Sequence, residues 1–146
     1  MYEDAFDESE WSYACHFLPG GDADEDYARH LEKEADMAVR ARLARETLAI
    51  LIVQDRGVPA PNAVWRTRIA SVTAAPEFRT IRCAIVTRNA LIRGVVTALN
   101  WIRKREYQEA IFAELGMAVD WLEKTCERPL PALRDSAKEW NAAYGS

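Results

Sequence analysis

Two short runs constrain this chain more than anything else in it. Thr47 to Gln54, TLAILIVQ, is continuously apolar and rich in branched residues, and Cys83 to Thr87, CAIVT, repeats that character about thirty residues later. A strand with one wet face alternates apolar and polar residues, whereas a strand covered on both faces does not. The two runs therefore predict central strands of a parallel or mixed sheet, with helices supplying the cover. The intervening residues have the matching form. Asp55-Arg56-Gly57-Val58-Pro59-Ala60-Pro61 reads as a loop, and Pro61 or Asn62 opens a helix with Val64, Trp65, Ile69 and Val72 on its apolar side, ended by Pro76.

The same alternation extends in both directions. Trp11, Tyr13, Cys15 and Phe17 interleave with Ser12, Ala14, His16 and Leu18, the period of a strand with one buried face. Pro19-Gly20-Gly21 ends it. Asp22 or Asp24 then caps a helix that runs to about Leu43, with Asp24, Glu25 and Asp26 at the positive end of its dipole. Beyond the second apolar run, Asn89 is the expected N-cap of a helix over 90–102, with Leu91, Val95, Leu99 and Ile102 as its core stripe. Gly94 within it suggests close packing. A short strand over 109–112 and a helix over 114–127, buried through Leu115, Val119 and Leu122, complete the series. After Arg128-Pro129-Leu130-Pro131 a last amphipathic helix carries Leu133, Ala137, Trp140 and Tyr144. Strand–helix alternation of this kind predicts an α/β sheet with right-handed crossovers.

The 146 residues suit one domain, and 49% apolar with 29% charged residues excludes wholesale disorder. No window reaches the ~20 apolar residues of a membrane span, and the acidic start MYEDAFDESE is unlike a signal peptide, so the cytoplasm is the expected location. Three scattered cysteines (Cys15, Cys83, Cys126) without a CxxC make no disulfide framework. Adjacent strand residues such as Cys15 and His16 point to opposite faces and cannot easily share a metal. His30 is expected to be exposed on its helix. No metal and no cofactor are expected. The net charge of −4 conceals three blocks: −10 over residues 1–36, +10 over 37–105 and −4 over 106–146. They suggest an internal acidic cover on a basic face, or a solvated arginine-rich surface.

The strand-to-helix turns lack the glycine-rich phosphate loops and the G-x-S-x-G elbow, so the sequence offers no catalytic constellation. In sheets of this kind ligands gather beyond the carboxyl ends of the strands. Asp55, Arg56, Arg88, Asn89 and Arg93 would meet there, either as an anion-binding corner or as a salt bridge of Asp55 with Arg88 or Arg93 that orders the loop. Arg93, Thr97, Asn100 and Lys104 form a polar stripe. Arg103-Lys104-Arg105, with Trp101 and Tyr107 beside them, either contact a partner, such as nucleic acid or anionic lipid, or simply suit the negative end of their helix; the acidic pI of 5.3 argues against nucleic acid. Trp140 and Tyr144 either pack on the domain or anchor a partner, as do Tyr2 and Phe6.

The element order, together with DRGVPAPNAVWRTRIA, RCAIVTRNALIRGVVTALNWI and EAIFAELGMAVDWLEK, resembles small single-domain bacterial proteins of the SpoIIAA-like (STAS-like) type, over roughly residues 9–125. The resemblance implies a mixed sheet of four or five strands with helices mostly on one face, plus an extra C-terminal helix. It divides the chain into an acidic tail (1–8), the STAS-like domain (9–127) and a helical extension (128–146). It also implies a non-enzymatic regulatory or scaffolding role through a protein partner, or a homodimer, with no nucleic acid and no membrane span. The best-known relatives are anti-sigma-factor antagonists switched by phosphorylation of a serine just after a central strand. Here that turn, Asp55 to Asn62, contains no hydroxyl, and Thr67 and Ser71 lie within the following helix. The alternative role is binding of a small anion or lipid headgroup at the carboxyl-edge corner.

Overall fold

The computed structural model describes the backbone of residues 1–103 and 108–144, and the side chains of all these except 99–103. Five strands form one mixed sheet: β1 (Tyr2–Asp7), β2 (Ser12–Phe17), β3 (Leu48–Gln54), β4 (Ile81–Thr87) and β5 (Gln108–Phe112), side by side in chain order. β1 is antiparallel to β2 and the other pairings are parallel. The helices are α1 (Ala23–Ala44), α2 (Ala63–Thr73), α3 (Ala90–Arg103), α4 (Leu115–Cys126) and α5 (Pro131–Tyr144), with a 3-10 turn at Pro76–Thr80. The two apolar runs are β3 and β4, the central pair, and β3 is buried at every position.

Sequential parallel strands joined by right-handed crossovers place successive helices on one side. α1, α2 and α3 accordingly cover the face carrying Tyr13, Cys15, Phe17, Ile50, Ile52, Cys83 and Ile85. α4 and α5 cover the other, against Ala14, Ala49, Leu51, Val53, Ala84 and Val86. The helices thus divide three to two between the faces. This differs from an arrangement mostly on one face, because α5 doubles back across β2 and β3 beside α4. It also explains why β2 is buried at all six positions and not only on alternate ones.

Several local expectations hold. Asp22 caps α1 by accepting from the Asp24 and Glu25 amides, and Asn62 caps α2 through Trp65 N–H at 3.0 Å. Asn89 accepts from Leu91 N–H at 2.9 Å at the start of α3. Others are corrected. Residues 2–7 are not a tail but an edge strand, whose Tyr2 is buried and whose Phe6 packs edge-to-face on Trp11. Charged residues on an edge strand discourage pairing with another chain, and they mask the strand pattern. In α3 the residues turned to the sheet are Ile92 and Val96, while Leu91 is 73% exposed and Val95 half-buried. Leu91, Ile92, Val95 and Val96 support two neighbouring stripes, and packing selects one. A Cβ built on Gly94 meets nothing within 4 Å, so close packing does not account for this glycine.

The edge of the sheet away from the candidate site is tied by Arg128. Its guanidinium donates to the carbonyls of Glu10 (2.8 Å), Trp11 (3.3 Å) and Thr47 (2.6 Å), joining the β1–β2 turn, the start of β3 and the α4–α5 link. Glu10 in turn accepts from Ala132 N–H at 2.8 Å at the start of α5. The C-terminal helix is therefore an integral layer of the domain.

Candidate functional site

All four parallel strands end, and α1 to α4 begin, at one edge of the sheet, where β3 and β4 bring Gln54 and Thr87 side by side. The expected corner residues do gather there, with different partners. Asp55 accepts from His16 Nε2 at 3.0 Å and does not pair with Arg88 or Arg93. Arg88 bonds Glu114 at 3.0 Å and lies over the Tyr144 ring, 5.0 Å from its centroid. Asn89 is spent on the cap of α3, its own N–H donating to Thr87 Oγ1. Arg56 and Arg93 are exposed. Arg103 closes α3, but its side chain, with those of Leu99, Asn100, Trp101 and Ile102, is outside the described residues, and so are Lys104, Arg105 and Tyr107 altogether.

Trp140 and Tyr144 are not exposed anchors. They are 7% and 6% exposed and form the floor of this edge. Trp140 lies against the His16 ring at 5.3 Å, and the Tyr144 hydroxyl donates to Ala113 O at 2.6 Å. Burial pushes the Tyr144 phenol upward, although Arg88 works against it. The apolar spacing of α5 left open whether its stripe met this sheet or a partner; the answer is this sheet.

The rim of the edge carries an unexpected feature. Val64, Leu91 and Met117 are 59%, 73% and 63% exposed, and each lies in the first turn of its helix: α2, α3 and α4. Half of the large exposed apolar residues among those described thus lie in first turns at the edge that also carries Arg56, Arg88 and Arg93, Val64 and Leu91 on one side of the sheet and Met117 on the other. In the sequence, Val64 and Leu91 look like core positions, which is why neither stood out.

Two buried clusters flank the edge. His16 is 1% exposed, and its Nδ1 has no partner among the described atoms. On the opposite face, His30 is buried, contrary to its expected exposure. The long α1 turns Tyr27, His30 and Glu34 inward at helical spacing, so that the ring lies over β1 and β2. Its Nε2 meets Glu34 at 2.6 Å, and its Nδ1 meets the Tyr2 hydroxyl at 3.1 Å and Cys15 Sγ at 3.5 Å. Tyr2 continues to Tyr13, and Tyr13 donates to Asp4, which pairs with Lys33. Burial alone pulls the His30 pKa down, but the charges of Cys15 and Glu34 outweigh it and raise it to about 10. Burial drives the Tyr2 and Tyr13 phenols far upward, so both stay protonated. Cys15, His30 and Glu34 follow the order of nucleophile, base and orienting carboxylate. Cys15 is nonetheless 0% exposed, so no substrate reaches its sulfur in this arrangement. Adjacent residues do face opposite ways: Cys15 meets His30, and His16 meets Trp140.

No protein-family model, curated protein or solved structure matches the chain. The chain is an α/β domain with a mixed five-stranded sheet between three helices and two. Among the described residues, no helix is long and apolar enough to cross a membrane.

Proposed function

We propose that this chain is a SpoIIAA-like (STAS-like) regulatory or scaffolding domain that acts without catalysis, by docking a protein partner on the carboxyl edge of its sheet. The observation that carries the reading is that Val64, Leu91 and Met117 are all exposed in the first turns of α2, α3 and α4, helices that begin at this same edge of the sheet. Exposed apolar residues that share one edge of a fold with charged ones are characteristic of partner surfaces. The alternation of strand and helix from β2 to α4 supports the fold type. Arg56, Arg88 and Arg93 beside the apolar residues favour a partner with acidic groups around an apolar ridge. The β3–α2 turn contains no hydroxyl, so control by a phosphoserine at that position is not part of the proposal.

The test is capture from the native cell by tagged wild-type protein and by a triple variant, Val64→Asp, Leu91→Asp and Met117→Asp, with quantitative mass spectrometry. All three positions are exposed, so the variant should fold. A partner held by the wild type and lost by the variant, and reproduced with the two purified proteins, supports the reading. Equal recovery by both forms, or no reproducible partner, overturns it.

A further inference from the structure

Between the sheet and α1–α3 lies a cavity of about 70 Å³. Phe17, Ile52, Ile85, Ile92 and Val96 form most of its wall. One water occupies roughly 10–15 Å³ by this measure and needs two to four polar partners to be held. The space is several times larger than that and almost wholly apolar. A small organic molecule suits it better than water does.

The polar groups around it narrow the chemistry. His30 is engaged at both nitrogens, Glu34 at His30, and the Thr73 hydroxyl at Ile69 O (2.7 Å). Gln54 is different. Tyr27, on the same wall, donates its proton to Pro59 O at 2.7 Å and so has none to offer Gln54. Gln54 itself is 7% exposed and lines the cavity, and its Oε1 has no partner among the described residues. A buried acceptor with no donor costs free energy that a ligand's N–H or O–H would recover. The wall's charged groups are His30 and Glu34, paired with each other, and Glu109, whose carboxylate disfavours an anion; the rest is apolar, so a neutral ligand suits it best.

We propose that this cavity binds a small, neutral, mostly apolar molecule with one hydrogen-bond donor, of the phenol or indole kind, whose donor is received by Gln54 Oε1. The site is separate from the rim formed by Val64, Leu91 and Met117, so it stands or falls independently of partner docking.

The probes are phenol, indole, benzene and benzoate, titrated to millimolar concentration against the full chain with isoleucine and valine methyl groups labelled for NMR. Phenol or indole should shift the methyl signals of Ile52, Ile85, Ile92 and Val96. They should bind more tightly than benzene by about fivefold, the worth of one net hydrogen bond. Gln54→Leu should erase that preference, and Val96→Phe, which fills the cavity, should abolish binding of all probes. Absence of methyl shifts with phenol and indole would overturn the proposal. So would equal affinity for phenol and benzene, tighter binding of benzoate than of phenol, or undiminished binding by Val96→Phe.

Discussion

Replacing Glu34 with glutamine removes one negative charge from the buried cluster while keeping the shape of the side chain and a group able to accept from His30. In the native fold Glu34 is 3% exposed and stands 2.6 Å from His30 Nε2. The His30 pKa, ordinarily 6.5, rises to about 10: burial opposes the rise, and the charges of Cys15 and Glu34 overcome it. Below pH 6.5 the folded and unfolded chains both hold the His30 proton, and the stabilisation is fully present. Between pH 6.5 and 10 the unfolded chain releases the proton and the folded chain keeps it. Each unit in that window removes up to about 1.4 kcal/mol, on the order of 5 kcal/mol in all. The E34Q variant should therefore be less stable than wild type by roughly 2–4 kcal/mol at pH 6, and the gap should shrink to under about 1 kcal/mol near pH 10. Urea unfolding of both proteins at pH 6, 7, 8, 9 and 10, with equal m-values as the check on a two-state comparison, reads this directly. A gap that stays constant across the series would refute the charge coupling and reduce Glu34 to a packing residue.

Two further substitutions probe the frame. Gly94→Ala, in the interior of α3 where a Cβ meets nothing within 4 Å, should raise stability by about 0.5–1 kcal/mol. A loss measured by thermal unfolding would mean that something packs closely on that position. Arg128→Ala should cost roughly 2–3 kcal/mol, because three backbone carbonyls lose a charged donor. Arg128→Lys, with one compact ammonium in place of the fork, should recover only part of it in the same unfolding assay.

The strands and helices that bury a continuous run or follow a clean period were legible in the sequence. β3 and β4 announce themselves by TLAILIVQ and CAIVT, and α1 by its acidic cap. Asn62 and Asn89 mark the starts of α2 and α3 for the same reason that they cap them: a short side chain able to accept from a nearby amide. What escaped depends on contacts distant in sequence. The charges of β1 conceal a strand whose Tyr2 and Phe6 are held by α1 and Trp11. The burial of His30 follows from its contacts with Tyr2, Tyr13 and Phe17, none within ten residues of it. The rotation of α3 is degenerate in an apolar helix until the sheet selects Ile92 and Val96. At the carboxyl edge, the spacing brought Asp55, Arg88 and Asn89 together but could not assign partners, since His16 and Glu114 arrive from other elements. The exposed rim of Val64, Leu91 and Met117 was hidden because apolar residues in the first turn of a helix read as core.

Amide hydrogen exchange on the purified complex with the captured partner tests the docking edge most directly. Bound partner should slow exchange over residues 55–66, 87–93 and 113–118, the turns and first helical turns that carry the apolar rim, and leave the β1–β2 hairpin and the middle of α5 unchanged. Protection confined to α5 or to the β1 edge, with the three turns unaffected, would contradict it.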